Sequence, residues 1–140
     1  MPTPPYLHFQ GQCAEALAFY AQVFGGTNLQ TMLYGDGPAA PPAWQSSRRV
    51  MHGQLTIGDG TLMASDFPPG MAGDAQQGFS VMQTAADVAS ARAVFDQLAA
   101  GGAIIDAFKP TFFSPGFGMV LDKFGTRWII STIPAQGTAP

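Results

Sequence analysis

The alternation of hydrophobic and polar positions predicts a strand, a helix and three further strands in the first half of the chain. The segment "YLHFQG" (6–11) is short, aromatic and bounded by Pro and Gly, as a strand would be. In "QCAEALAFYAQVF" (12–24) apolar residues recur at helical spacing, and Gly25 and Gly26 end the helix. Strands are predicted at "TNLQTMLYG" and on both sides of the Gly-Asp-Gly turn in "VMHGQLTIGDGTLMASDF", with a Pro-rich loop between them.

The second half of the chain repeats the same order of elements. A strand is predicted at "GFSVMQT" (78–84) and a helix at "DVASARAVFDQLAA" (87–100), which Asp87 caps and a pair of glycines ends. The segment "AIIDAFKP" is predicted to be a strand, and "GFGMVLDKFGTRWIIST" a hairpin with a Gly in its turn. The pattern therefore predicts an α+β protein made of two βαβββ modules, at about residues 5–67 and 78–133.

Composition narrows the classes of partner. The chain has 140 residues, consistent with a single domain, but only 11% of them are charged, compared with a typical ~25%. A surface so poor in charge favours self-association, so we expect a homodimer. The net charge of −3 and the scattered basic residues argue against a nucleic-acid partner.

The cysteine count and the hydropathy pattern bear on where the protein works. A single cysteine, Cys13, excludes an internal disulfide and suggests a reducing compartment. The chain has no run of about 18 apolar residues, and its first residues lack the basic-then-apolar pattern of a signal peptide. We therefore expect no membrane association and a cytoplasmic location.

The duplicated βαβββ order resembles the vicinal-oxygen-chelate superfamily, which includes glyoxalase I, extradiol dioxygenases, fosfomycin-resistance enzymes and bleomycin-binding proteins. Four segments resemble its PhnB-like branch, often labelled 3-demethylubiquinone methyltransferase-like: "YLHFQGQCAEALAFYAQVFGG", "VMHGQLTIGDGTLMASDF", "TFFSPGFGMVLDKFG" and "RWIIS". The resemblance covers about residues 5–132 and implies a single glyoxalase-like domain, 1–140, whose modules form a curled mixed sheet around a cavity. Methyl transfer is not expected, because the sequence lacks the Gly-rich strand-to-helix turn of a dinucleotide-like fold that binds S-adenosylmethionine.

The resemblance also implies where a metal would be held. Metal-dependent members of the superfamily place one His, Glu or Gln on the first and last strands of each module. The matching positions in this sequence are Pro5, Met63 or Ala64, Ser80 and Ile129. None of these side chains is a good ligand for a hard divalent cation. We therefore expect the usual metal site, and any cofactor, to be absent.

Three other residues are candidates for ligand binding or chemistry. His52, on a predicted strand, could orient a ligand oxygen or act as a general base, or it could be an ordinary strand histidine. His8 precedes the first helix and is expected to make local hydrogen bonds, whereas Asp66 is expected to cap a turn. A relocated divalent metal held by His52, Asp66 and His8 remains an alternative, although it would require an interruption of the pleat.

Loop residues give further candidates. Arg48 and Arg49 close the Pro-rich loop and are either solvated or able to reach an anionic ligand. Trp44, inside that loop, could cover a pocket or make a dimer contact. Phe112 and Phe117 flank a Pro-Gly break, where core packing and ligand stacking are both possible.

The expected function is that of a small-molecule-binding protein of the PhnB-like branch without the usual metal site. The alternative is a glyoxalase-like lyase or isomerase, or a dioxygenase, that uses a relocated metal or a His base. A purely structural or oligomerisation role is the third possibility. Sequestration of an antibiotic-like or metabolite ligand is suggested by analogy with the bleomycin-binding relatives only.

Overall fold

A computed structural model describes residues 1–134 of the chain, so the last six residues of the predicted domain, 135–140, lie outside the described residues. The chain divides into two compact units, Met1–Gln76 and Gln77–Pro140. The first unit contains these helices and strands, in order: β1 (Tyr6–Phe9), α1 (Cys13–Phe24), β2 (Thr27–Leu33), β3 (Val50–Ile57) and β4 (Gly60–Asp66). Two short 3-10 turns, Tyr34–Asp36 and Pro42–Trp44, lie in the loop between β2 and β3.

The four strands of the first unit form a mixed sheet in the order β1-β4-β3-β2. Strands β1 and β4 are parallel, and the other two pairings are antiparallel. Helix α1 ends at Gly25, which adopts a left-handed conformation (φ 64°) that costs a glycine little. The side chains between α1 and one face of the sheet are fully buried; they include Leu7, Leu17, Tyr20 and Leu55. This burial of large apolar side chains is the main stabilising contribution to the unit.

The second unit has the same arrangement. Its elements, in order, are β5 (Val81–Ala85), α2 (Val88–Ala99), β6 (Ala103–Lys109), β7 (Phe117–Leu121) and β8 (Arg127–Thr132). The sheet order is β5-β8-β7-β6, with β5 and β8 parallel. Phe95, Leu98, Trp128 and Ile130 are almost completely buried and form the centre of its core.

The hairpin between β7 and β8 is organised by one buried carboxylate. Asp122 Oδ1 accepts hydrogen bonds from the backbone N–H groups of Phe124 (2.8 Å) and Thr126 (3.0 Å), and Oδ2 accepts from Trp128 Nε1 (2.9 Å). Gly125 has φ 92°, a conformation that favours glycine. The tight turn and the indole that follows it are thus held by the same side chain.

The predicted α+β class and the duplicated βαβββ order are confirmed. The main difference lies at the start of the second unit, where the strand begins at Val81 rather than at Gly78. Gly78 has φ 82°, which is incompatible with an extended strand. Among the described residues, no helix is long and apolar enough to cross a membrane.

Candidate functional site

The candidate site lies on one face of the first sheet. Along β1 burial alternates: Leu7 and Phe9 are buried in the core, whereas Tyr6 and His8 point to the opposite face. We call this opposite face the open face; it carries two cross-strand rows of side chains. The first row contains His8, Ser65, His52 and Met32, and the second contains Tyr6, Met63, Gln54 and Gln30.

The first row follows from the strand register. His8 pairs with Ser65 between β1 and β4, and Met32 pairs with His52 between β2 and β3. The pairing of Gly53 with Ala64 places His52 opposite Ser65. Side chains of directly paired residues point to the same face of a sheet. The two histidines of the chain therefore flank Ser65, one on each neighbouring strand.

The second row runs parallel to the first. Met63 pairs with Tyr6 on one side and with Gln54 on the other, and Gln54 pairs with Gln30. The Tyr6 side chain is long enough to reach over β4 towards β3. The two rows are therefore joined by contacts between side chains as well as by the backbone ladder.

A chain of hydrogen bonds connects the rows. The Tyr6 hydroxyl lies 2.9 Å from His52 Nδ1, and His52 Nε2 lies 3.3 Å from Gln54 Oε1. Because a carboxamide oxygen only accepts, His52 Nε2 donates in this contact, and in the neutral imidazole Nδ1 then accepts from the Tyr6 hydroxyl. This order fixes the tautomer of His52. At the other end of the first row, His8 Nδ1 lies 3.4 Å from the Ser65 hydroxyl.

Four rings form a continuous strip on the open face. The centroid of His8 lies 5.4 Å from that of Phe67 in a stacked arrangement and 5.3 Å from that of Tyr6. The Tyr6 and His52 centroids are 5.7 Å apart, with an angle of 37° between the rings. We call this run, Phe67–His8–Tyr6–His52, the aromatic strip.

Two clefts adjoin these residues within the first unit. A small cleft of about 110 Å³ is lined by Gln30, Thr31, Met32, His52 and Gln54. A larger one of about 350 Å³ is lined by residues of the N-terminal segment and the β3–β4 turn, together with Met63: Pro2, Thr3, Pro4, Pro5, Asp59, Gly60 and Thr61. Both clefts therefore border side chains of the two rows.

The third predicted candidate, Asp66, is not on the open face. It is 1% exposed, and its carboxylate accepts from the backbone N–H groups of Gly11 (2.8 Å), Cys13 (3.0 Å) and Val50 (2.8 Å). Burial, and secondarily the nearby Asp66 carboxylate, raises the pKa of the Cys13 thiol to about 12. Asp66 thus joins the start of α1 to β3, and the structure separates it from His8 and His52.

The loop candidates have local partners. The Arg49 guanidinium donates to the backbone carbonyls of Gln10, Phe67, Pro68 and Met71, at 3.0 to 3.4 Å. Trp44 is half-buried, with its ring edge-on to Tyr34 at 5.1 Å. The Tyr34 hydroxyl donates to the backbone carbonyl of Asp66 at 2.7 Å. Burial raises the pKa of the Tyr34 hydroxyl.

The two phenylalanine candidates lie in the second unit. Phe113 contacts Phe112 at 5.1 Å and Phe117 at 5.0 Å, both edge-on. Phe112 is 98% exposed, whereas Phe117 is half-buried on β7. The structure thus brings these two residues into one cluster.

The superfamily's metal positions do not fit a divalent metal. Pro5 lies before β1, and its carbonyl accepts the N–H of Met63; Ser80 lies before β5. The paired residues near those positions on the first and last strands are Tyr6 with Met63 and Met82 with Ile129. Among residues 1–134, no three His, Cys, Asp or Glu side chains are grouped so that they could hold a metal ion. Neither pair supplies the ligands that such a cation requires, since one is a phenol with a thioether and the other a thioether with an alkyl chain.

Sequence reasoning did not single out Tyr6, Ser65, Gln54, Gln30 or Met32 as site residues. One available signal was the i, i+2 spacing of Tyr6 with His8 and of His52 with Gln54, which places each pair on one strand face. The register between the strands carries the rest of the information, and it is a property of the fold.

Comparison with known proteins gives a consistent set of similarities. The family model described as 3-demethylubiquinone-9 3-methyltransferase matches residues 3–131. Protein YjdN of Escherichia coli (strain K12) is 34% identical over 148 residues, covering 99% of this chain and 99% of that protein. The crystal structure of protein PA1353 from Pseudomonas aeruginosa is 37% identical, with a TM-score of 0.85 over 94% of this chain and 97% of that one.

More distant structures share the fold. A PhnB protein from Bacillus cereus is 23% identical, with a TM-score of 0.74 over 95% of this chain and all (100%) of that one. Glyoxalase/bleomycin-resistance/dioxygenase proteins from Burkholderia phytofirmans and Frankia sp. align over 92% and 97% of this chain, at 17% and 11% identity and TM-scores of 0.58 and 0.63. The aligned regions are 95% of the Burkholderia chain and 93% of the Frankia chain. These likenesses confirm the predicted glyoxalase/bleomycin-resistance fold.

Proposed function

Since the chain belongs to the 3-demethylubiquinone-9 3-methyltransferase family, the PhnB-like branch of the glyoxalase/bleomycin-resistance superfamily, we propose that it binds a small molecule without a chelated metal. The ligand lies on the open face of the first sheet. The observation that carries this proposal is the hydrogen-bond chain from Tyr6 through His52 to Gln54, beside a cleft.

The character of the open face supports binding. Tyr6 and Met32 are 40% and 49% exposed, although both are large and largely apolar. Ligand sites combine such apolar surface with a few placed polar groups that orient the ligand. Here His8, His52 and Gln54 supply those polar groups, and the β1–β4–β3 ladder fixes their spacing.

The family description mentions methyl transfer, but the proposal does not include it. A fold that binds S-adenosylmethionine in the dinucleotide manner places a Gly-rich turn between a strand and a helix. In this chain the residues between β1 and α1 are Gln10, Gly11 and Gln12. One glycine in that turn does not form such a motif.

A second candidate is a metal-independent lyase or isomerase of glyoxalase type, in which His52 acts as the base. The observation in its favour is that the hydrogen bonds to Tyr6 and Gln54 orient the imidazole. A base held by a second and third group is the arrangement that general acid–base catalysis uses. A ligand atom replacing the Tyr6 hydroxyl at Nδ1 would be placed for proton transfer.

The central test uses protein purified without chelators. Elemental analysis and mass spectrometry of the denatured protein identify any metal and any co-purified small molecule. We expect substoichiometric metal, and an organic molecule that is lost in His52→Ala. Thr56→Val is the matched control, because Thr56 lies on the same face beyond the two rows and its shape is preserved. A stoichiometric Zn, Ni, Mn or Fe that disappears in His52→Ala would refute metal-free binding, and equal recovery of the small molecule from both variants would refute the assigned site.

The proposal includes a homodimer in a reducing, cytoplasmic setting. Low charge and exposed apolar side chains support self-association; those on the second unit include Met82, Ile104, Ile105 and Phe112. Light scattering coupled to size exclusion measures the mass directly. A mass of one chain at every accessible concentration would contradict the dimer and leave the binding proposal intact.

A further inference from the structure

We infer that the open face takes a flat aromatic ligand without formal charge, which lies over the aromatic strip and is hydrogen-bonded by His52 and Gln54. This inference rests on the proposed function and specifies its ligand class. It is drawn from the charges, the ring geometry and the hydrogen-bonding groups of the two rows.

The first step concerns charge. The eight side chains of the two rows contain no Asp, Glu, Lys or Arg. Of the charged groups that adjoin β3 and β4 in sequence, the Asp66 carboxylate accepts three backbone N–H groups in the core and Arg49 donates to four carbonyls. Arg48 and Asp59 are exposed and lie outside the two rows. A charged ligand over the two rows would lose water without gaining an ion pair from their side chains. An uncharged ligand avoids that cost.

The second step concerns shape. In the aromatic strip, neighbouring rings are tilted by 24° to 37° at centroid distances of 5.3 to 5.7 Å. The His8 and Phe67 rings are stacked on each other, and the Tyr6 ring, which is 40% exposed, is tilted against both histidine rings. A flat conjugated molecule can contact several of them at once by offset or edge-to-face packing. The thioethers of Met32 and Met63 lie in the same two rows, and sulfur packs favourably against aromatic rings.

The third step concerns polarity. Both ring nitrogens of His52 have partners, the Tyr6 hydroxyl and Gln54 Oε1, so a ligand bonds to Nδ1 by replacing the Tyr6 hydroxyl. The carboxamides of Gln54 and Gln30 can both donate and accept. These groups match a ligand that carries both a carbonyl or ring acceptor and an N–H or O–H donor, such as an aromatic amide.

The test uses four small probes of nearly equal size: benzamide (neutral), benzoate (anionic), benzamidine (cationic) and cyclohexanecarboxamide (neutral but not flat). Each is titrated into isotopically labelled protein at one fixed pH that is the same for all four probes. The readout is the chemical shifts of the Tyr6 ring, the His52 ring and the Gln54 side-chain amide. We expect benzamide to shift all three and to bind at least about tenfold more tightly than each of the other probes.

A variant pair ties the result to the strip. Tyr6→Leu removes one ring and the hydroxyl, and we expect it to weaken benzamide binding by about 2- to 10-fold or more. The matched control, Thr56→Val, should bind benzamide as the unmodified protein does.

Each alternative outcome overturns a stated part of the inference. Equal or tighter binding of benzoate or benzamidine refutes an uncharged ligand, and equal binding of cyclohexanecarboxamide refutes a flat aromatic one. If no probe shifts the three groups, the ligand class is wrong. The proposed function would fail on a different measurement, namely if His52→Ala and Thr56→Val yielded equal amounts of the co-purified molecule. Failure of the ligand class and failure of the proposed function can therefore be distinguished.

Discussion

The buried Asp66 provides the sharpest test of how the first unit is held together. We expect Asp66→Asn to destabilise the fold strongly while leaving the open face intact. The carboxylate uses Oδ1 for the N–H groups of Gly11 and Cys13 and Oδ2 for that of Val50. Asparagine can retain the first two bonds, but its NH₂ group then faces the N–H of Val50.

The magnitude follows from this geometry. The hydrogen bond from Val50 to a charged acceptor contributes about 1.5–3 kcal/mol, and a buried N–H left unpaired costs about 1–3 kcal/mol. The remaining two bonds also become weaker when the acceptor is neutral. The free energy of unfolding should therefore fall by about 2–5 kcal/mol, a large part of the ~5–15 kcal/mol of a typical domain.

The measurement is a urea titration followed by far-ultraviolet circular dichroism. With an m-value of about 1–3 kcal/mol/M, we expect the midpoint to fall by about 1 M or more. Asp59→Asn is the matched control, because Asp59 is exposed in the turn between β3 and β4. That variant should change the free energy by no more than about 0.5 kcal/mol.

A change of less than about 1 kcal/mol in Asp66→Asn would refute the argument, since a buried acceptor of three N–H groups cannot be replaced so cheaply. A stable Asp66→Asn protein that had lost its ligand would instead make Asp66 a binding residue. Both outcomes are read from the same purified variant.

Three further predictions concern single residues elsewhere in the two units. The Cys13 thiol is buried and its pKa is raised to about 12, so it should not react with a disulfide reagent at pH 8 in the native protein. In urea the same thiol should react fully. Rapid labelling of the native protein would contradict the burial of Cys13. Gly102→Ala should lower the free energy of unfolding by about 1–3 kcal/mol, because the added Cβ would overlap the backbone carbonyl of Leu121 at the end of β7. An unchanged midpoint in a urea titration would contradict this prediction. Hydrogen bonds from Ser90 lower the pKa of Asp87 below its ordinary value of 3.8. The stability that this cap gives to α2 is therefore present above pH 3.8 and is lost as the pH falls through the lower pKa of the folded protein. An NMR titration of the Asp87 carboxyl carbon that gives a pKa of 3.8 or above would contradict this prediction.

The duplicated module order was readable from the sequence because each element depends on local information. Apolar residues at helical spacing place α1 and α2, and glycine pairs mark where both helices end. The expectation that the superfamily's metal positions lack good ligands was also local, since it needed only the residue type at each matched position. The PhnB-like resemblance, confirmed by the family match over residues 3–131, rests on the same kind of pattern.

The candidate site itself required the tertiary structure. Sequence reasoning grouped His52, His8 and Asp66 as one possible metal site, whereas the fold places Asp66 in the core and joins His52 to Tyr6. Tyr6 and His52 are 46 residues apart in the chain, and their contact depends on β1 pairing in parallel with β4. Alternation within a strand tells which residues share a face of that strand, but not which residue of another strand lies opposite.

The sequence by itself therefore determined the two βαβββ units, their helix ends and the residue types at the positions matched to the superfamily's metal ligands. Only the tertiary structure decided that two imidazoles, a phenol and two carboxamides lie on one sheet face, in two rows without an Asp, Glu, Lys or Arg side chain. The physical reason is that strand register is set by long-range backbone hydrogen bonds and by core packing around α1, and a one-residue shift would move every one of these side chains to the other face.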